Sequence, residues 1–260
     1  KIISYSPLFL IGNQANPIMI KSSDGSGQGL AVIKAKQQSE FSNVIFDNLN
    51  NPVDNGWSLT GAITFYESPI KMDRIQFINN NSEDYLNVKR SSYLITNSLF
   101  LGTKSDAFDA DFSTGTIKNT SFINIGNDAI DVSGGEHTLE SINIQNARDK
   151  GLSVGENGMM FVKSASISDS EIAIASKDKS TIIAEKIIIK NSKIGITAFQ
   201  KKSEFGPGNI QIQNLSLSQI KIPFLIEKNS SVIVNGIEML SDQQEVKKDL
   251  YGVKYGKSSK

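Results

Sequence analysis

Aspartate recurs in this chain at a fixed interval. Asp84, Asp106 and Asp128 stand 22 residues apart, and Lys150 takes the next place in the series. A parallel series reads Asn87, Asp109, Asp131, Ser153. Carboxylates at close range repel one another, and they persist together when a cation, a lysine or a proton neutralises them. Two chemistries suit such a set. A hard cation such as Ca2+ takes several carboxylate oxygens, which nominates Asp106, Asp109, Asp128 and Asp131 as metal ligands. Carboxylates beside a lysine can also move protons, which nominates Asp106, Asp128 and Lys150 as catalytic groups. The plainer alternative is a surface ladder of ion pairs, worth under about 1 kcal/mol each.

An interval of this length means one supersecondary unit stacked on itself, so that equivalent side chains line up in columns. The large apolar residues Phe46, Phe77, Phe100, Phe122, Ile144, Ile167, Ile189 and Leu217 mark the unit. Around each of them apolar and polar residues alternate in short runs rich in Ile, Val and Phe, the pattern of half-buried strands. Two residues after each anchor stand Asn48, Asn79, Gly102, Asn124, Asn146, Asp169, Asn191 and Gln219. Most of these types tolerate the left-handed backbone of a tight bend. Coils of 22–23 residues with two or three short strands predict an all-β fold, a right-handed parallel β-helix. Its coils stack about 4.8 Å apart. The β-helix is expected over 1–240, with 1–35 forming opening coils or a cap, and 241–260 a C-terminal cap or flexible tail. Alternation through Asp128–Val132 puts Ile130 and Val132 inward, and Ala129 and Asp131 outward. By the same reasoning Tyr85 points outward beside Asp84, so both are expected to touch a ligand. Trp57 and Tyr66 offer further stacking faces, and His137 is expected in solvent. Two coils carry insertions, at 50–57 and 200–208, expected as outer loops walling the binding face.

With its asparagine bends and aspartate columns, the chain resembles the right-handed parallel β-helices of the pectate lyase and polygalacturonase superfamily over roughly residues 30–236. Polygalacturonases carry Asn-Thr-Asp-Gly, Gly-Asp-Asp and Gly-His-Gly on successive coils. Here Asp106 and Asp128 match two of the three catalytic aspartates, Asn127 replaces the third, and Lys150 stands where the histidine would be. The arginine of the substrate clamp is missing as well. The resemblance therefore points away from hydrolysis and toward a polysaccharide lyase. In such an enzyme Ca2+ on the aspartates would acidify a uronate proton and Lys150 would assist its removal.

Composition narrows the partners. Lys and Arg total 27, as do Asp and Glu, so no basic excess suggests nucleic acid. No apolar run is long enough to span a membrane. With no cysteine and one histidine, thiol catalysis, disulfides and multi-histidine metal sites are excluded. The expectation is an extracellular, cell-surface or periplasmic protein that binds or processes an acidic polysaccharide, as a monomer or as part of a larger multidomain chain. The alternative is a non-catalytic β-helix module of a larger surface protein.

Overall fold

The computed structural model describes residues 1–251. It is a parallel β-solenoid of about nine coils of roughly 23 residues. A ten-stranded parallel sheet forms one side, here termed the front sheet, and a thirteen-stranded sheet wraps the others. The front sheet stacks Gly61–Tyr66, Asp84–Lys89, Asp106–Asp111, Ile130–Ser133, Lys150–Gly155, Ile172–Lys177, Ile194–Phe199 and Ile222–Ile226 in order. Hydrogen bonds between coils satisfy the backbone, so the chain needs no helix until its end.

The apolar anchors hold the coils in register. Phe46, Phe77, Phe100, Phe122, Ile144, Ile167, Ile189 and Leu217 are matched neighbour to neighbour through the whole stack. The four phenylalanine rings pile face to face, with centroids 5.5, 4.3 and 4.7 Å apart. Each such pair adds about 0.5–1.5 kcal/mol beyond its buried area. A slip of one residue would expel this column from the core, which is why the register is unique.

The corners follow from backbone strain. All eight residues of the column from Asn48 to Gln219 have positive φ, between 46° and 67°. Asn146 donates to the amide oxygen of Asn124 at 2.9 Å, and Asn191 to the carboxylate of Asp169 at 2.5 Å. The insertion at 50–57 is an antiparallel hairpin, Val53–Asp54 with Trp57–Ser58, and Trp57 is exposed. The insertion at 200–208 is tied down, with the Lys201 and Lys202 amides both donating to Asp178.

The C-terminal segment is not a loose appendage up to Tyr251. Helix α1 (Val246–Tyr251) lies against the outside of the front sheet. Glu227 anchors it, accepting from the amides of Gln200 and Val246. Residues 252–260 of the expected cap or tail lie outside the described residues.

Candidate functional site

Three successive coils enter the front sheet with an aspartate, Asp84, Asp106 or Asp128, followed by two consecutive inward residues and a second outward residue. In Asp106–Asp111, Asp106, Asp109 and Asp111 are half-buried on the outer face, while Ala107, Phe108 and Ala110 are fully buried. The register shows the bend: Asp84 matches Asp106, then Leu86 matches Phe108, with no bridge at the residue between them. Strict alternation therefore fails at this corner, and two expectations fall with it. Ala129 faces the core. Tyr85 also faces the core, fully buried against Phe77, with its hydroxyl donating to carbonyl oxygens of Phe46 and Ile78. Tyr85 cannot touch a ligand. His137 is likewise inside the core rather than in solvent. Its Nδ1 meets the Tyr93 hydroxyl at 2.7 Å, two coils below, across Gly115. Gly115 has to be glycine there, because a Cβ would lie 2.5 Å from the Tyr93 ring.

The aspartate columns do run along one face. Asn87, Asp109, Asp131 and Ser153 are matched strand to strand, and the series continues into Ala175, Thr197 and Leu225. Beside them Asp84 pairs with Asp106. Asp106 Oδ1 accepts the Asp128 amide at 2.8 Å and the Asn127 side chain at 2.6 Å. Asp128 Oδ1 accepts the Lys150 amide at 2.9 Å. Asp106 and Asp128 thus each hold the coil above.

Lys150 is the keystone of the stack. Its ammonium contacts both oxygens of Asp128 at 3.2 Å and Asp149 at 2.8 Å, and the residue is buried. Burial alone would lower its pKa, but Asp128 and its neighbours hold it well above the usual lysine range. An ammonium so held cannot act as a base, so the expected proton-abstracting role is not supported. Lys177 repeats the arrangement one coil higher, 3.3 Å from Asp131. Asp131 is therefore pulled below the ordinary carboxylate range, against its own burial, by Lys177 and then Lys150.

Lower on the face Lys89 pairs with Asp111 at 3.1 Å, and Asp84, Asp106 and Asp109 make no ion pair among the described residues. Burial, then the charges of Asp128 and Asp131, push Asp106 up to about 8. Burial pushes Asp84 up to about 6, and burial with Asp84 and Asp111 drives Asp109 well above its usual value. Asp109 accepts the side chain of Asn87. The four expected metal ligands are thus engaged with amides and ammonium groups of the protein. Among the described residues no three carboxylate or imidazole groups converge as metal ligands.

The strip is bounded above. Every residue of Lys150–Gly155, Ile172–Lys177 and Ile194–Phe199 is buried on both faces, because α1 and the 200–208 loop cover the outer one. Tyr66 stands half-buried at the lower edge, its hydroxyl accepting from Arg90 at 3.2 Å. Below the covered strands Asp106, Asp109, Asp111 and Asp131 are half-buried, whereas Asp84, Asn87 and Asp128 are buried. A cavity of about 540 Å3 beside Gln200, Glu227 and Lys247 lies on the flank of α1 and touches none of the aspartates.

No family model matches the chain, and no curated protein sequence matches it. Solved structures do. The catalytic domain of a GH87 α-1,3-glucanase in complex with nigerose superimposes with a TM-score of 0.50 at 15% identity. That match covers 90% of this chain and 62% of the glucanase chain. Tailspike protein 3 of bacteriophage CBA120 matches at 12% identity with a TM-score of 0.31, over 90% of this chain and 54% of the tailspike. The likeness is one of fold. No helix among the described residues is long and apolar enough to cross a membrane.

Proposed function

We propose that the open half of the front sheet binds an uncharged polysaccharide and that its carboxyl groups hydrolyse it. The observation that carries this reading is the strip itself. It repeats carboxyl, amide and hydroxyl groups coil after coil, and its half-buried members Asp106, Asp109, Asp111 and Asp131 reach the surface clear of the cluster that α1 covers. The coil spacing of about 4.8 Å is close to the length of one sugar ring, so consecutive coils can address consecutive rings. An acidic glycan suits the strip poorly. The cations on this face, Lys89, Lys150 and Lys177, each already hold a carboxylate.

Hydrolysis of a glycosidic bond needs one protonated and one ionised carboxyl. Groups whose surroundings push their pKa values apart are the natural pair. Asp106, protonated through neutrality, is the proton donor to the leaving oxygen. Asp131, kept ionised by Lys177, is the basic partner. β-Elimination is not the reaction favoured here, since Lys150 is not available as a base. The fold shared with a glucanase catalytic domain is consistent with this chemistry without establishing it.

The test is binding and cleavage across a panel of α-1,3-glucan, other neutral glucans and polygalacturonate. The expected outcome is binding of a neutral glucan with release of reducing ends. Asp106→Asn should cut cleavage at least about 100-fold while binding persists. Binding with no cleavage would leave a carbohydrate-binding module, and exclusive binding of polygalacturonate would refute the reading.

A further inference from the structure

Helix α1 contains two kinds of contact with the front sheet, and only one of them explains itself. Val246 and Leu250 fill an apolar cluster with Ile172, Ile194 and Phe199 on the sheet's outer face. Tyr251 packs at the edge of this cluster, its ring centroid 6.5 Å from that of Phe199, and reaches the seam with the carboxylate strip. Its ring centroid is 5.8 Å from the Lys150 ammonium and 5.2 Å from that of Lys201. Its hydroxyl is buried and has no hydrogen-bond partner among the described residues. Lys201, contributed by the 200–208 loop, makes no ion pair among the described residues, and burial beside Lys177 and Lys150 holds its pKa down. In the same strand as Lys150, buried Ser153 continues the column of Asn87, Asp109 and Asp131 without a break.

A phenol buried without a partner is a poor permanent filling, because burial strips it of water and returns nothing. The groups around it are the ones that hold sugar hydroxyls: ammonium donors, a carboxylate and a serine. The ring gains from the ammonium groups against it, which is enough to keep it seated while the place is otherwise empty. We infer that Tyr251 occupies a further glycosyl subsite, built from Lys150, Ser153, Lys177, Lys201 and Asp149, in which the chain's own C-terminal segment competes with the glycan. This rests on the reading of the strip as a glycan site, and extends that site upward by one to two coils beneath α1.

An internal competitor lowers apparent affinity by the fraction of time the subsite is blocked. Removing the ring alone, as Tyr251→Ala in the full chain, leaves Val246 and Leu250 docked. The probe is a series of α-1,3-linked glucose oligosaccharides of increasing length. The expected result is that the variant binds the longer members at least about fivefold tighter, with no gain for the disaccharide that fits the open strip. A second readout is independent of any sugar. The chain has no cysteine, so Ser153→Cys supplies a single thiol. That thiol should be inert with Tyr251 in place, reactive when Tyr251→Ala is added, and protected again by the longer oligosaccharides. Unchanged affinity in the variant, with the unmodified protein still binding, overturns the subsite and leaves the strip standing. So does equal thiol reactivity with and without Tyr251. Failure of every oligosaccharide to bind either protein overturns the strip and the subsite together.

Discussion

The two halves of the front sheet share one backbone and one register yet present opposite surfaces. Up to Asp131 the outward column is Asn87, Asp109, Asp131, and the face is acidic and reaches the surface at Asp109 and Asp131. Beyond it the column reads Ser153, Ala175, Thr197, flanked by Ile172 and Ile194, and the face is closed and dry under α1. The strand ladder is indifferent to what points outward, so the chemistry of a face is set by one column at a time. Lys150 and Lys177 form the seam. They neutralise the last carboxylates of the acidic half and border the apolar half.

The seam is the place to break this division. Lys150→Met keeps the length of the side chain and removes its charge, taking from buried Asp128 the ammonium that pairs with it. Uncompensated buried charge typically costs about 3–5 kcal/mol. Thermal melting should fall by about 2–4 °C for each kcal/mol in a chain of this size, and adding Asp128→Asn should restore part of the loss. A melting temperature unchanged by Lys150→Met would mean that the seam carries no stability.

The closed half can be opened without touching the seam. Leu250→Ala removes a side chain buried against Ile172 and Phe199, at a cost of about 2–4 kcal/mol. The loss should be local, because α1 is the last element and nothing among the described residues stacks on it. Hydrogen exchange should show α1 losing protection while Thr114–Ile125 in the core keeps it. Equal loss in both would show that α1 belongs to the cooperative unit of the solenoid.

Much of this was legible in the chain, for uneven reasons. The anchors from Phe46 to Leu217 and the bends from Asn48 to Gln219 stood out because one position demands bulk and the other tolerates positive φ. A second corner follows the front strands at Glu67, Arg90, Phe112 and Gly134, also with positive φ. Its residue types have nothing in common, so no column was visible. The inward turn of Tyr85 and Ala129 was missed because alternation was carried through a bend. α1 was missed because a six-residue helix with Val246, Leu250 and Tyr251 as its only apolar residues leaves too short a pattern to read. The aspartate columns were found, but their partners were not. That Lys150 is locked by Asp149 as well as Asp128 depends on burial by α1, which the interval of 22 residues cannot encode.

The open half has its own signature in pH. A carboxyl whose folded pKa is raised binds more protons folded than unfolded, so its contribution is lost as pH climbs through the folded value. Asp106, at about 8 against a usual 3.8, should make the fold progressively less stable from about pH 4 to about pH 8, above which the loss is complete. His137 is buried with its pKa depressed, so its opposing slope lies below the usual 6.5 and leaves about pH 6.5 to 8 clear of it. Asp106→Asn should flatten the decline in melting temperature between about pH 6.5 and 8. A wild-type curve already flat there would mean Asp106 is ionised at neutrality, which would remove the proton donor from the proposed hydrolysis.

The smallest effect is expected one residue from the acidic column and tests which way the corner turns. Tyr85 follows Asp84 directly, yet its hydroxyl serves only backbone groups of the core, donating to the carbonyls of Phe46 and Ile78 and accepting from the Ile78 amide. Tyr85→Phe keeps the ring against Phe77 and strands two buried acceptors that are also held by the strand ladder. The cost should be about 1 kcal/mol, with glycan affinity unchanged. Asp109→Asn, outward on the same coil face, should do the reverse, altering binding with little effect on melting. If instead Tyr85→Phe weakened glycan binding and left stability intact, the double inward step at the corner would be wrong. The outward columns would then have to be redrawn by one residue, which would move every carboxylate of the open half.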